Sequence, residues 1–113
     1  MPMSASYVTD APDRAAIDSL AGPVVLEFGT GWCGNYRAAQ PLIESALAPH
    51  PGVTHLKVED GPGRPLGRSF RVKLWPTLVF LSDGQEVARL VRPTDAEAIA
   101  DAVSAIDRPR SPQ

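Results

Sequence analysis

Apolar and polar positions along the chain switch between two periods, and each switch marks an element. Ala15, Ala16, Ile17 and Leu20 form a short stripe at helical spacing, which Asp10 or Asp13 can cap and Ala21-Gly22-Pro23 ends. Val24-Val25-Leu26-Glu27-Phe28 reads as a strand buried on both faces, with a carboxylate inside it. From Cys33 to about Ala48 the pattern is helical, with Ala39, Leu42, Ile43, Ala46 and Leu47 on one face. Pro41 lies within that helix, and its missing N–H predicts a kink. Val53 to Glu59 alternates as a strand, Gly61-Pro62-Gly63 is a loop, and a helical turn follows around Leu66 to Phe70. Thr77-Leu78-Val79-Phe80-Leu81 is a buried strand that turns at Ser82-Asp83-Gly84 into a return strand, Glu86 to Val91. Thr94 is then placed to cap an amphipathic helix carrying Ile99, Ala102, Val103 and Ile106.

With Tyr7-Val8-Thr9 as a short first strand, the order is β-α-β-α-β-α-β-β-α. Alternation that closes in a hairpin predicts an α/β fold, with a central mixed sheet of about four or five strands flanked by about four helices. At 113 residues the chain has room for one core. Residues 7–106 read as that domain, and 1–6 and 107–113 read as flexible tails.

Charge and composition narrow the function classes. A net charge of −2 gives no attraction to nucleic acid or to anionic membranes. No segment approaches the roughly 18 apolar residues of a membrane-spanning helix. Met1 to Asp10 lacks a basic stretch leading into an apolar one, so no signal peptide is read there and a cytoplasmic location is the expectation. His50 and His55 stand apart from any ligand cluster and are read as non-functional, and no metal site is expected.

The chain has 1 cysteine, Cys33, so an intramolecular disulfide is impossible. It lies in Trp32-Cys33-Gly34-Asn35-Tyr36, between a predicted strand and a predicted helix. A helix start favours the thiolate, and a thiolate attacks disulfides to form mixed disulfides. Glu27, inside its strand, costs several kcal/mol to ionise unless it finds a partner, and Lys57 on the neighbouring strand is the obvious one. Arg64, Arg68 and Arg71 fall at helical spacing, with Lys73 beyond them. Such a run is either a solvated face or, with Arg37 and Arg92, a cationic surround for the thiol that recruits anionic partners.

Taken in order, these residues resemble the thioredoxin family. The likeness rests on Trp32-Cys33-Gly34, the acidic Glu27 in the preceding strand, Pro41, Lys57, Trp75-Pro76-Thr77 and the Asp83-Gly84 hairpin, over roughly residues 7 to 106. It implies a thioredoxin fold with Pro76 cis and the Trp75 backbone beside Cys33 as an edge for a substrate strand. It also implies catalytic roles for Cys33, Glu27 and Lys57, with a purely structural buried ion pair the equal alternative for Glu27 and Lys57, and substrate contacts from Trp32, Gly34, Tyr36, Trp75, Pro76, Thr77 and Arg92. The sequence departs from the family where Tyr36 replaces the second cysteine and Asn35 a common proline. Arg92 replaces a groove glycine, and Gly29 a frequent tryptophan.

The expected function is that of a monothiol thiol–disulfide oxidoreductase acting through Cys33 on protein or small-molecule disulfides. An external thiol such as glutathione would serve as co-substrate in place of the missing second cysteine, with no other cofactor. The expected state is a monomer that can link through Cys33 on oxidation. A different class of reading is a redox-inactive binding domain that holds a partner on Trp32, Trp75 and Tyr36. Tyr36 itself has two readings, a ring covering the cysteine face or a hydroxyl bonding a bound thiol. The single-cysteine glutaredoxins that hold an iron–sulfur cluster share the Cys-Gly start. Trp32, Trp75-Pro76-Thr77 and the Glu27–Lys57 pair argue against that branch.

Overall fold

In a computed structural model, residues 12–31 and 34–107 are described. The elements run α1 (Arg14–Asp18), β1 (Pro23–Gly29), α2 (Gly34–Leu47), β2 (Thr54–Glu59), α3 (Pro65–Ser69), β3 (Thr77–Ser82), β4 (Gln85–Val91) and α4 (Ala96–Ile106). The expected strand at Tyr7-Val8-Thr9, the Asp10 cap, the N-terminal tail, the C-terminal tail beyond Asp107 and the placement of Trp32 and Cys33 lie outside the described residues. Asp107, expected to begin the flexible tail, instead caps α4 and bonds His50.

The strands form a 4-stranded sheet in the order β2-β1-β3-β4. β1 is parallel to β2 and antiparallel to β3, and β3 and β4 form an antiparallel hairpin. The mixed α/β sheet with its helices is the architecture that the alternation of elements predicts. Val25, Leu78 and Phe80 face one side of the sheet, where Ala39, Ile43 and Leu47 of α2 and Ile99, Val103 and Ile106 of α4 close over them. Val24, Leu26, Phe28, Val79 and Leu81 face the other, covered by Ile17 of α1, Leu66 of α3 and Phe70. β1 is buried on both faces because helices cover both.

Local chemistry sets the boundaries. Asp13 caps α1 by accepting from the Ala16 N–H at 2.9 Å. At α4 the cap is Asp95, which accepts from the Glu97 N–H at 3.0 Å, and not Thr94 as the sequence suggested. Both residue types cap well, so the neighbouring positions compete and the pattern alone does not choose between them. α2 continues through Pro41 without ending. The missing N–H leaves the Arg37 carbonyl without its helical donor.

α3 is shorter than the arginine spacing implied. It ends with Arg71 at φ 58°, while the Arg71 N–H bonds the Arg68 carbonyl at 3.0 Å and the Val72 N–H the Gly67 carbonyl at 2.9 Å. This paired closure reverses the backbone hand at Arg71. Arg64, Arg68 and Arg71 therefore do not form one helical stripe.

The β3–β4 hairpin turns on Asp83 at φ 49° and Gly84 at φ 80°, the two left-handed residues of a tight turn matched to strand twist. Asp83 also clamps the entry to β1: its carboxylate accepts from the Gly22 N–H at 2.7 Å, and its own N–H bonds the Gly22 carbonyl at 3.0 Å. A Cβ on Gly84 would collide with the Asp18 carbonyl at the end of α1. Gly84→Ala should therefore lower stability by about 2 kcal/mol or more, since it adds a backbone clash to the left-handed penalty. Urea denaturation measures this. A loss below about 0.5 kcal/mol would mean the hairpin tip is not held against α1.

Candidate functional site

Parallel pairing of β1 and β2 puts Glu27 opposite Lys57 and Val25 opposite His55. Opposed residues share a face, so these polar side chains all point toward α2. Glu27 is 0% exposed and Lys57 1%. Buried charge at this depth survives only where hydrogen bonds replace water, and here they do.

The bonds form a chain. The Glu27 carboxylate meets His55 Nε2 at 2.9 Å through Oε1 and accepts from Gln40 Nε2 at 2.8 Å through Oε2. Gln40 Oε1 accepts from Lys57 Nζ at 2.9 Å, and Lys57 also donates to Tyr36 Oη at 3.0 Å. The ammonium lies 4.6 Å from the centre of the Tyr36 ring, within cation–π range. Tyr36 and Gln40 are four residues apart on α2 and so reach down from one helix face. Tyr36 stands in the first turn of α2, which connects the buried network to the helix start at Gly34. Gly34 follows Cys33 in sequence.

The second half of the site is built on Trp75. The Trp75-Pro76 peptide bond is cis, as the resemblance implied. Pro76 and Thr77 are buried, and the Thr77 hydroxyl donates to the Leu74 carbonyl at 2.6 Å. The indole is half-buried, and its Nε1–H donates to Asp60 Oδ2 at 2.9 Å. Asp60 follows β2, and its N–H bonds the Gly29 carbonyl at 3.0 Å. Its carboxylate presses against Gly67 of α3, where a Cβ would collide with it. Trp75 is thus fixed from β2 and α3.

Arg92 is held at φ 48°, a conformation that favours glycine. Its N–H bonds the Pro76 carbonyl at 2.8 Å, and its Nε donates to the Trp75 carbonyl at 2.9 Å. The carbonyl that the resemblance offered to a substrate strand is already bonded by this guanidinium.

The geometry matches known proteins. The thioredoxin family model matches residues 5–105. This chain belongs to the thioredoxin family. It is 37% identical to a thioredoxin of Chlamydia trachomatis over 89 residues, 77% of this chain and 86% of that protein. A thioredoxin of Mycobacterium bovis is 33% identical over 85 residues, 74% of this chain and 73% of the other. Among solved structures, thioredoxin 2 from Pseudomonas aeruginosa PAO1 in its reduced form superposes with a TM-score of 0.83. It is 56% identical, covering 93% of this chain and 97% of that one.

The structure brings Glu27, Lys57 and Tyr36 into one network, and Trp75, Pro76, Thr77 and Arg92 into one edge. The Tyr36 hydroxyl accepts from Lys57 inside the protein, a contact that neither sequence reading included. Gln40 and His55 were missed. His55 was set aside for want of a metal-binding cluster, yet it is buried against Glu27. The signal was present: two residues before Lys57, it must share that residue's strand face. His50 lies elsewhere, 2.6 Å from Asp107 at the end of α4.

Proposed function

We propose that this protein is a thioredoxin-type thiol–disulfide oxidoreductase that works through the single thiol of Cys33 and relies on an external thiol, with glutathione the candidate, to complete each turnover. Family membership supports the reaction class. The observation that carries the single-thiol form is Tyr36. It occupies the position of the family's second cysteine, and its hydroxyl is bonded to Lys57.

Cys33 directly precedes the first residue of α2, and unpaired N–H groups at a helix start stabilise a thiolate. That thiolate attacks one sulfur of a substrate disulfide. The Cys33–substrate S–S bond forms, the substrate S–S bond breaks, and the leaving sulfur departs as a thiolate that takes a proton. An external thiolate then attacks the mixed disulfide, carries the substrate sulfur away as a new disulfide and restores Cys33. A glutathione-rich cytoplasm would supply that thiol. Without it, oxidation can leave two copies joined through Cys33.

Glu27, Lys57, Gln40 and His55 form a hydrogen-bonded network that reaches the first turn of α2 through Tyr36. This is the route by which the pair can influence the thiol.

Incubation with oxidised glutathione should add one glutathionyl group per chain by intact mass. Reduced glutathione should remove it, and Cys33→Ser should abolish it. The pH midpoint of Cys33 alkylation should fall below the free-cysteine value of about 8.5. No adduct, together with a free-cysteine alkylation profile, would overturn the reading in favour of a redox-inactive binding domain.

A further inference from the structure

Beside the Trp75 indole lies a cleft of about 250 Å³ lined by Asp60, Arg64, Arg68, Lys73 and Trp75, among others. Residues 64–73 carry four cations and no acid, in a chain of net charge −2. The positive field here is therefore local and is not a property of the whole protein.

The charges in the cleft are not equally available. Arg64 is paired with Glu59 at 2.9 Å. Asp60 is committed to the Trp75 Nε1–H and packed on Gly67. Arg68 and Lys73 are exposed, and among the described residues no carboxylate pairs with either. Leu74, between Lys73 and Trp75, is a large exposed apolar side chain. Unpaired cations, an aromatic wall and the apolar Pro62 and Val72 in the same lining suit a carboxylate carried on a peptide, since a free anion has no use for the apolar part.

We propose that this cleft is a subsite for an acidic side chain of a protein partner, held by Arg68 and Lys73 against Trp75. It rests on the reading of Trp75 and Pro76 as the substrate edge of a disulfide-exchanging protein, and it names the charge of the segment that edge receives.

The first measurement involves no thiol chemistry. A blocked peptide with Glu flanking Ser and its Gln counterpart are titrated into the reduced full chain, followed by tryptophan fluorescence. The acidic peptide should bind about five- to tenfold more tightly at low salt, as expected for two rim charges. That preference should shrink at high salt and disappear in Arg68→Gln/Lys73→Gln, but persist in Arg89→Gln, which removes a distant cation. Equal binding of the two peptides, or a preference unchanged in the double variant, would overturn the subsite.

The second measurement separates this result from the thiol reading. Cys33 is reacted with uncharged 2,2′-dithiodipyridine, with oxidised glutathione and with acidic and neutral peptide disulfides. If the uncharged probe reacts equally in all variants while only the acidic-peptide rate falls in the double variant, the subsite is supported. If Cys33 is inert but acidic binding persists and depends on Arg68 and Lys73, the thiol reading falls and the subsite stands. A rate loss with oxidised glutathione but not with the acidic peptide would overturn the assignment to a peptide.

Discussion

Tyr36→Cys is expected to free the protein from its need for an added thiol. The wild-type chain should react once with a protein disulfide and stop, because it cannot leave carrying an internal disulfide of its own. With a second thiol three residues after Cys33, the mixed disulfide can be attacked from within the same molecule. Well-oriented intramolecular groups act at effective concentrations of roughly 10⁵ M or more. Even a poorly oriented thiol would exceed millimolar glutathione, so release should quicken by at least about 100-fold. The readout is turnover of a protein disulfide with thioredoxin reductase and NADPH and no other thiol. Robust wild-type turnover under those conditions would contradict the single-thiol mechanism. A variant still dependent on added thiol would show that α2 does not present residue 36 to the mixed disulfide.

The second large effect concerns Lys57. Lys57→Met keeps the volume but removes the cation that donates to both Gln40 and Tyr36. The Gln40 carbonyl loses that donor, and the Glu27 carboxylate loses its neighbouring positive charge on β2. Removing one member of a buried charged set costs about 3–5 kcal/mol, whereas Tyr36→Phe, which deletes one hydrogen bond, should cost about 0.5–1.5 kcal/mol. With urea m-values of about 1–3 kcal/mol/M, Lys57→Met should lower the denaturation midpoint by more than about 1 M at unchanged slope. A loss no larger than that of Tyr36→Phe would mean that the network holds no buried charge at Lys57.

The elements were legible because burial imposes period on sequence. β1 and β3 read as apolar runs, and α4 showed its stripe. That Glu27 needs a partner was legible because it is a carboxylate inside an apolar strand, and Lys57 does lie opposite it, but the carboxylate is bonded by His55 and Gln40. What escaped was set by three-dimensional register. His55 and Gln40 are unremarkable in their own segments and join the network only when β1–β2 pairing and the α2 face are superimposed. The helical turn around Leu66 to Phe70 was read, but the loss of helical register between Arg68 and Arg71 was not. Arg71 takes a left-handed position usually given to glycine, so its residue type gave no warning of the stop.

The β4 strand has a consequence for how copies of this protein can meet. Among the described residues it closes the sheet, pairing with β3 alone. An open edge is a template for adding another chain. Here the pairing register slips between Phe80 and Leu81, leaving Val87 as an extra residue without a partner. On either side stand the Glu86–Arg89 ion pair and, just past the strand, Arg92. A second copy laid along this edge would meet a bulge and desolvate fixed charges, which disfavours strand addition at β4 despite the exposed Val87 and Val91.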